Sequence, residues 1–156
     1  MISWFLKDRG GNLLATYNLV MDELDENVGL ALRESFAAQA FMQMIGARLA
    51  GARPGEVEIE LPFRDDLVQQ TGSLHAGVIA AIADSACGYA AFTLMPEDSN
   101  VLSVEFKLNL LAPATGPHFL ARARVIRAGR TLTVTGADVF AGDRLVATML
   151  ATMIRR

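Results

Sequence analysis

Residues 72–95 are apolar almost without interruption. The stretch GSLHAGVIAAIADSACGYAAFTLM carries one carboxylate, Asp84, near its middle. A helix that is hydrophobic on every side belongs inside a protein. Gly72 and Ser73 suit its start and Pro96 its end, so the predicted helix runs from Gly72 to Met95. Elsewhere the pattern alternates. Glu56, Glu58 and Glu60 interleave with Val57, Ile59 and Leu61, which reads as a half-buried strand with a solvated outer face. Pro62 places an irregularity or an edge there. In VLSVEFKLNLL, alternation sets Val104, Phe106, Leu108 and Leu110 on one face and Ser103, Glu105, Lys107 and Asn109 on the other. Further strands are expected over 119–128, 131–140 and 144–154, separated by the turns APATGP, Gly129-Arg130 and Ala141-Gly142-Asp143.

The first fifty residues read differently. Leu13, Leu14, Tyr17, Val20, Met21 and Leu24 recur at helical spacing. The acidic run Asp22–Glu26, with Asn27 and Gly29, predicts a break. A second helix follows over about 30–44, with Phe36, Ala40 and Met44 on one face. Phe41, Met42 and Met44 are candidates to line an apolar pocket beneath a lid. The expected organisation is an N-terminal helical segment, 1–44, packed on a domain of residues 45–156. Several antiparallel strands after one long helix make the class α+β.

Composition narrows the function classes. The chain has 156 residues, 52% of them hydrophobic and 20% charged, enough for one domain with a real core. Its formal net charge of −3 argues against a general nucleic-acid binder. The acidic run and sparse Lys and Arg near the N-terminus argue the same against a DNA-reading helix pair. One cysteine, Cys87, permits no intrachain disulfide, and its apolar surroundings make it core filler. The two histidines are far apart, so no metal site is expected. No dinucleotide or Walker-type glycine motif predicts NAD or ATP. The start MISWFLKDRGG has too short an apolar run for a secretory signal, and the expected location is cytoplasmic, away from membranes.

Asp84 is the anomaly in this picture. Aspartate is a poor helix-interior residue, and an unpaired buried carboxylate is costly. Its helical neighbours Ala80, Ala81, Cys87 and Gly88 are all small, leaving a trough that backbone or a ligand could enter. His75 lies nine residues before it. On one helix that is about 13 Å and half a turn away, so one chain cannot bring the two together. A site using both needs a second copy, most simply in a two-fold dimer. The N–H groups at the helix start, near Ala76 and Gly77, form a cradle for a carbonyl oxygen or oxyanion. Arg127 and Arg130 bracket the Gly129 turn. With Arg122 and Arg124 they form a basic cluster suited to phosphate.

The stretch Gln69-Gln70-Thr71-Gly72-Ser73-Leu74-His75-Ala76-Gly77, followed by Ile82-Ala83-Asp84, resembles the HGG signature of hotdog-fold acyl-CoA thioesterases of the phenylacetic-acid-degradation (PaaI-like) branch. The runs VEFKLNLLAPA and ARARVIRAGRTLTV resemble that family's strands, and the likeness covers about residues 40–154. Ala76 stands where the family usually has Gly. The resemblance implies a curved antiparallel sheet wrapped around one long helix, and hydrolysis of acyl-CoA to free acid and CoA. It implies Asp84 as general base or nucleophile and the Ala76 N–H as oxyanion donor. Gln69, with Gln70 as fallback, and Ser103 would position carbonyl or water. His75 would shape the turn, not act as base. CoA contacts are implied near Arg127, Gly129 and Arg130. It places Asp84 and the Gln69–Gly77 segment of one site on different subunits of a dimer or dimer of dimers. No cofactor is expected beyond the CoA moiety of the substrate. Two other readings are an acyl-CoA-binding hotdog protein without turnover and a hotdog hydratase or dehydratase.

Overall fold

The structure, a computed structural model, describes residues 3–7, 13–18, 24–96 and 98–156. It opens with an antiparallel pair, β1 (Ser3–Lys7) and β2 (Leu13–Asn18), where helix was expected. The apolar positions at 13, 14 and 17 fit a helical period by coincidence. The aromatic and β-branched content of SWFLK and LLATYN favours strands. The polar, glycine-bearing residues 8–12 between them are a hairpin signal. Val20 and Met21 lie outside the described residues.

Helix α1 (Glu26–Ala38) starts inside the acidic run that was expected to be a break. The Asp25 carboxylate caps it, accepting from the N–H groups of Asn27 at 2.9 Å and Val28 at 3.4 Å, and Glu26 complements the helix dipole. Gly29, Leu32 and Phe36 are its buried side. Gln39 is extended and ends α1, and α2 (Ala40–Ile45) closes at Gly46 in the left-handed conformation, φ +79°. The break at Gln39 rotates the buried side onto Met42 and Ile45. Ala40, Phe41 and Met44 therefore face outward, so the expected Phe36–Ala40–Met44 face does not exist.

The rest is one antiparallel sheet in the order β3-β4-β6-β7-β8-β5, with a helix on its inner face. The strands are β3 (Arg48–Arg53), β4 (Glu56–Pro62), β5 (Val101–Leu110), β6 (His118–Ala128), β7 (Leu132–Ala141) and β8 (Arg144–Arg155). Strands β4 to β8 all touch helix α3 (Ala76–Phe92). Val57, Ile59, Phe119, Val139, Met149 and Met153 meet Ile79, Ile82, Ala86 and Cys87 across the interface, and each large side chain buried there contributes about 1.5–3 kcal/mol. This is the hotdog arrangement, and it explains a helix apolar on every side. Pro62 ends β4 within the sheet, not on an edge strand.

Helix α3 is shorter than predicted at both ends. Residues 68–74 fold back on themselves: the Gln69 N–H donates to Ser73 O at 2.8 Å, the Gly72 N–H to Gln69 O at 2.9 Å, and Val68 bridges Leu74. Gly72, at φ +81°, makes that turn possible. At the other end the Thr93 hydroxyl donates to Ala90 O and accepts from the Gly55 N–H, both at 2.7 Å. The link ties the helix end to the β3–β4 turn. Among the described residues no helix is long and apolar enough to cross a membrane.

Strand β5 pairs only with β8 and forms one edge of the sheet. Its register shifts between Ser103 and Glu105, a bulge at Val104. Ser103 pairs with Met153, whereas Phe106, Leu108 and Leu110 pair with Ala151, Met149 and Ala147, all on the buried row. The extra residue therefore brings Ser103 onto the same face as Phe106, Leu108 and Leu110, against the strict alternation expected.

Candidate active site

Asp84 sits half-buried midway along α3, where Ser103 Oγ donates to its Oδ1 at 2.6 Å. The same Oγ lies 3.5 Å from Met153 Sδ. Burial pushes the Asp84 carboxyl above the ordinary aspartate range, and the Ser103 hydrogen bond partly opposes the shift. The pair opens on a cavity of about 260 Å³. Gly88, Tyr89 and Phe92 continue its wall along α3, Asn100–Ser103 border it from the strand side, and Ser35 and Gln39 of α1 close it. Of these, Ser35, Gln39, Tyr89, Phe92, Asn100, Val101 and Leu102 were not foreseen as site residues. Gln39 and Tyr89 are 50 positions apart, and only the folded chain joins them.

The other predicted residues gather at the start of α3. His75 is the N-cap, and its Nδ1 accepts from the Gly77 N–H at 2.9 Å. A Cβ at Gly77 would come within 3.1 Å of that Nδ1, so glycine lets the imidazole fold over the helix start. The N–H groups of Val78 and Ile79 donate to His75 O at 3.0 and 3.2 Å. Gly77 is thus not an open donor as expected. Among the described residues, the Ala76 N–H is the one left at this helix start without a hydrogen bond. Gln69 is half-buried in the adjoining turn, and Gln70 is exposed. None of Gln69, His75, Ala76 or Gly77 borders the Asp84 cavity. Ala76 precedes Asp84 by eight residues, or about 12 Å along the helix. Within one chain the candidate residues form two separate halves.

The Gly129 turn joins β6 to β7. Its N–H donates to Leu132 O at 2.9 Å, and a Cβ there would lie 2.5 Å from that oxygen, which only glycine avoids. The expected basic cluster is smaller than four. Arg122 pairs with Glu58 at 2.9 Å and stacks over Phe140, and Arg124 reaches Asp138 at 3.4 Å. Glu56 likewise pairs with Arg53, and the expected solvated face holds for Glu56 and Glu58. It does not hold for Glu60, which faces Arg48 at 3.9 Å but is largely buried, and desolvation pushes its carboxyl above the ordinary glutamate range. Arg127 and Arg130 are exposed and have no ion pair among the described residues. Ala128, Thr133, Met153 and Ser103 form one row across the sheet. The turn therefore stands at the Ser103 end of the sheet. Thr133, where β7 leaves it, is two strands or about 10 Å from Ser103.

Cys87 is buried and free, and its surroundings push the thiol up to about 12, against a hydrogen bond from Thr135. It is core, as its setting predicts. Among the described residues no group of three or more His, Cys, Asp or Glu is placed to hold a metal.

The chain presents a hotdog fold with a half-buried carboxylate on its central helix, and the comparisons with known proteins agree on the class. Residues 71–148 match the family model of the Thioesterase superfamily, and the chain belongs to that family. The crystal structure of a thioesterase family protein from Silicibacter pomeroyi is similar to it at 48% identity and TM-score 0.80, covering 82% of this chain and 97% of that one. Human acyl-coenzyme A thioesterase 13 is 24% identical over 121 residues, 76% of this chain and 86% of that protein. The E. coli PaaI protein of the phenylacetic acid degradation operon shares the fold at TM-score 0.78 and 16% identity, covering 86% of this chain and 96% of that one.

Proposed function

We propose that the protein hydrolyses acyl-CoA thioesters to the free acid and CoA. The observation that carries this reading is the Asp84–Ser103 pair opening on a cavity inside a thioesterase-family fold. Asp84 acts as general base or as nucleophile. As base it takes a proton from the water that attacks the thioester carbonyl, and Ser103 orients carboxylate or water. The carbonyl oxygen gains negative charge and lies against the Ala76 N–H, where the helix dipole stabilises it. The C–S bond then breaks, and the CoA sulfur leaves with a proton.

The two halves of the site lie too far apart in one chain, so the reaction needs a second copy. Strand β5 supports that assembly. It is an edge ten residues long, and Leu102, Val104, Phe106, Leu110 and Leu111 stand about half exposed along it. Such an edge is a template for another strand. Pairing it with its two-fold mate brings Gln69, His75 and Ala76 of one copy toward Asp84 of the other. Arg127 and Arg130, without acidic partners among the described residues, offer their guanidinium groups to the CoA phosphates.

Thiol release from a panel of acyl-CoAs tests the reading, with Asp84→Asn as control. The parent should turn over, and the variant should lose about 10²- to 10⁴-fold in kcat. Acyl-CoA binding by the folded parent without any thiol release would overturn the reading in favour of a binding protein.

A further inference from the structure

We propose that helix α1 forms the far wall of the acyl pocket, locked in place by the Tyr89 hydroxyl, so that Ser35 and Gln39 set the longest acyl group the site accepts. The inference rests on the thioesterase reading and deepens it.

Asp84, Gly88 and Phe92 stand at four-residue steps along one side of α3, with Ser85 and Tyr89 in the adjoining row. A substituent leaving the carbonyl at Asp84 has this side of the helix as its floor. Gly88 removes side-chain bulk one turn along. Tyr89 lies about 7.5 Å from Asp84 along the axis, enough for a short chain or a single ring. There the cavity meets α1.

The contact is polar where the rest of an acyl pocket is expected to be apolar. Gln39 Nε2 donates to Tyr89 Oη at 2.8 Å, and Ser35 Oγ shares a hydrogen bond with the same oxygen at 3.1 Å. The Tyr89 ring is buried, tilted against Phe36 at 5.7 Å and edge-on to Phe92 at 6.3 Å. Ser35 lies in the last turn of α1 and Gln39 caps its end four residues on, so both reach one hydroxyl. Gln39 is also the residue at which the helix breaks before α2, so displacing it moves the end of α1. A longer chain must push the Gln39 amide or the Ser35 hydroxyl aside. Either movement strips the Tyr89 oxygen of one of its two partners, and a lost hydrogen bond at a buried group is costly. Long acyl groups are excluded by lost hydrogen bonds as much as by volume. The wall lies outside residues 71–148, the part matched by the family, so it is free to set selectivity without touching the Asp84 chemistry.

The test measures kcat/KM and, by calorimetry, affinity for acetyl-, butyryl-, hexanoyl-, octanoyl- and decanoyl-CoA. The proteins are the full-length parent, Tyr89→Phe, Gln39→Ala and Ser35→Ala, with affinities read in the Asp84→Asn background. Tyr89→Phe keeps the ring contacts and removes only the latch, and Gln39→Ala clears the wall directly should the Tyr89 variant fail to fold. The expected result is a shift toward longer chains. The ratio of octanoyl to butyryl kcat/KM rises about tenfold in Tyr89→Phe and Gln39→Ala, through KM and not kcat. The affinity profile shifts the same way. An unchanged ratio and an unchanged affinity profile in folded variants would overturn the wall while leaving the thioesterase reading intact. A parent that binds acyl-CoA without releasing thiol would overturn the thioesterase reading, and the affinity profile alone would then decide the wall. A parent that binds no acyl-CoA would overturn both.

Discussion

Gly88→Ala separates what the fold needs at this position from what a ligand needs. A glycine inside a helix costs about 1 kcal/mol relative to alanine. Among the described residues no packing requires it: a Cβ built at Gly88 meets only Val101 Cγ1, at an ordinary 3.9 Å. The position is half-buried, so the added methyl gains about 0.4 kcal/mol more. The substitution should therefore stabilise the chain by about 1–1.5 kcal/mol. For a domain of this size that is a Tm rise of about 3–5 °C by scanning calorimetry or circular dichroism. The same methyl projects into the Asp84 cavity one turn along the helix. A methylene-sized change in an apolar pocket alters kcat/KM by about 10–200-fold. The Asp84 cavity is lined in large part by polar side chains, so thiol release from bulky acyl-CoAs should fall at the low end of that range, about tenfold, while acetyl-CoA is affected least. A protein made more stable and less active would show that the glycine is kept for a ligand. An unchanged or lower Tm would refute the packing argument. A higher Tm with unchanged selectivity would refute the assignment of the cavity to the acyl group.

Asp84→Asn should raise Tm at neutral pH while lowering kcat about 10²- to 10⁴-fold. The folded-state carboxyl titrates above its unfolded value, so its contribution to stability is greatest below the ordinary aspartate value of about 3.9 and declines as pH rises through the folded-state value. The variant's lead should vanish in acid, where the parent's carboxyl is protonated, and a variant no more stable at neutral pH would contradict the desolvation. In the parent, kcat/KM should fall on the acid side with an inflection above the ordinary aspartate value, read from a pH–rate profile. Thr93→Val should cost about 1–3 kcal/mol in denaturant unfolding, because it leaves the buried Gly55 N–H without its acceptor. Native Cys87 should resist Ellman's reagent at neutral pH and react only after unfolding, since it is buried and its thiolate is strongly disfavoured.

The parts of the fold legible in the sequence were those in which one environment covers a whole element. α3 is surrounded by sheet, so its apolar run on all sides named it, and β4 alternates cleanly because its two faces differ. Legibility failed where a single residue changed the phase. Val104 inserts into β5 and Gln39 breaks α1 from α2, and neither residue type announces such a role. Leu13, Leu14 and Tyr17 are too few to tell a helical period from a strand, and tertiary pairing decided it. In the site, Asp84 stood out by chemistry alone. The backbone N–H groups near Ala76 followed from helix geometry, although the His75 ring claimed the one on Gly77. The Tyr89–Ser35–Gln39 contact joins segments about 50 positions apart, and no local pattern encodes it.

The bulge at Val104 makes β5 sensitive to length in a way that composition does not reveal. Upstream of it Ser103 points toward α3, and downstream Phe106, Leu108 and Leu110 lie on that same face. Removing Val104 would leave a plain strand in which Ser103 and Phe106 stand two positions apart, and alternation then keeps the hydroxyl and the apolar row on one face. Adding one residue beside the bulge does the opposite and sets them on opposite faces. Either the hydrogen bond to Asp84 or the apolar side of the edge strand is then lost. The strand can shorten by one residue at this point, but a single-codon insertion trades chemistry against assembly in one step.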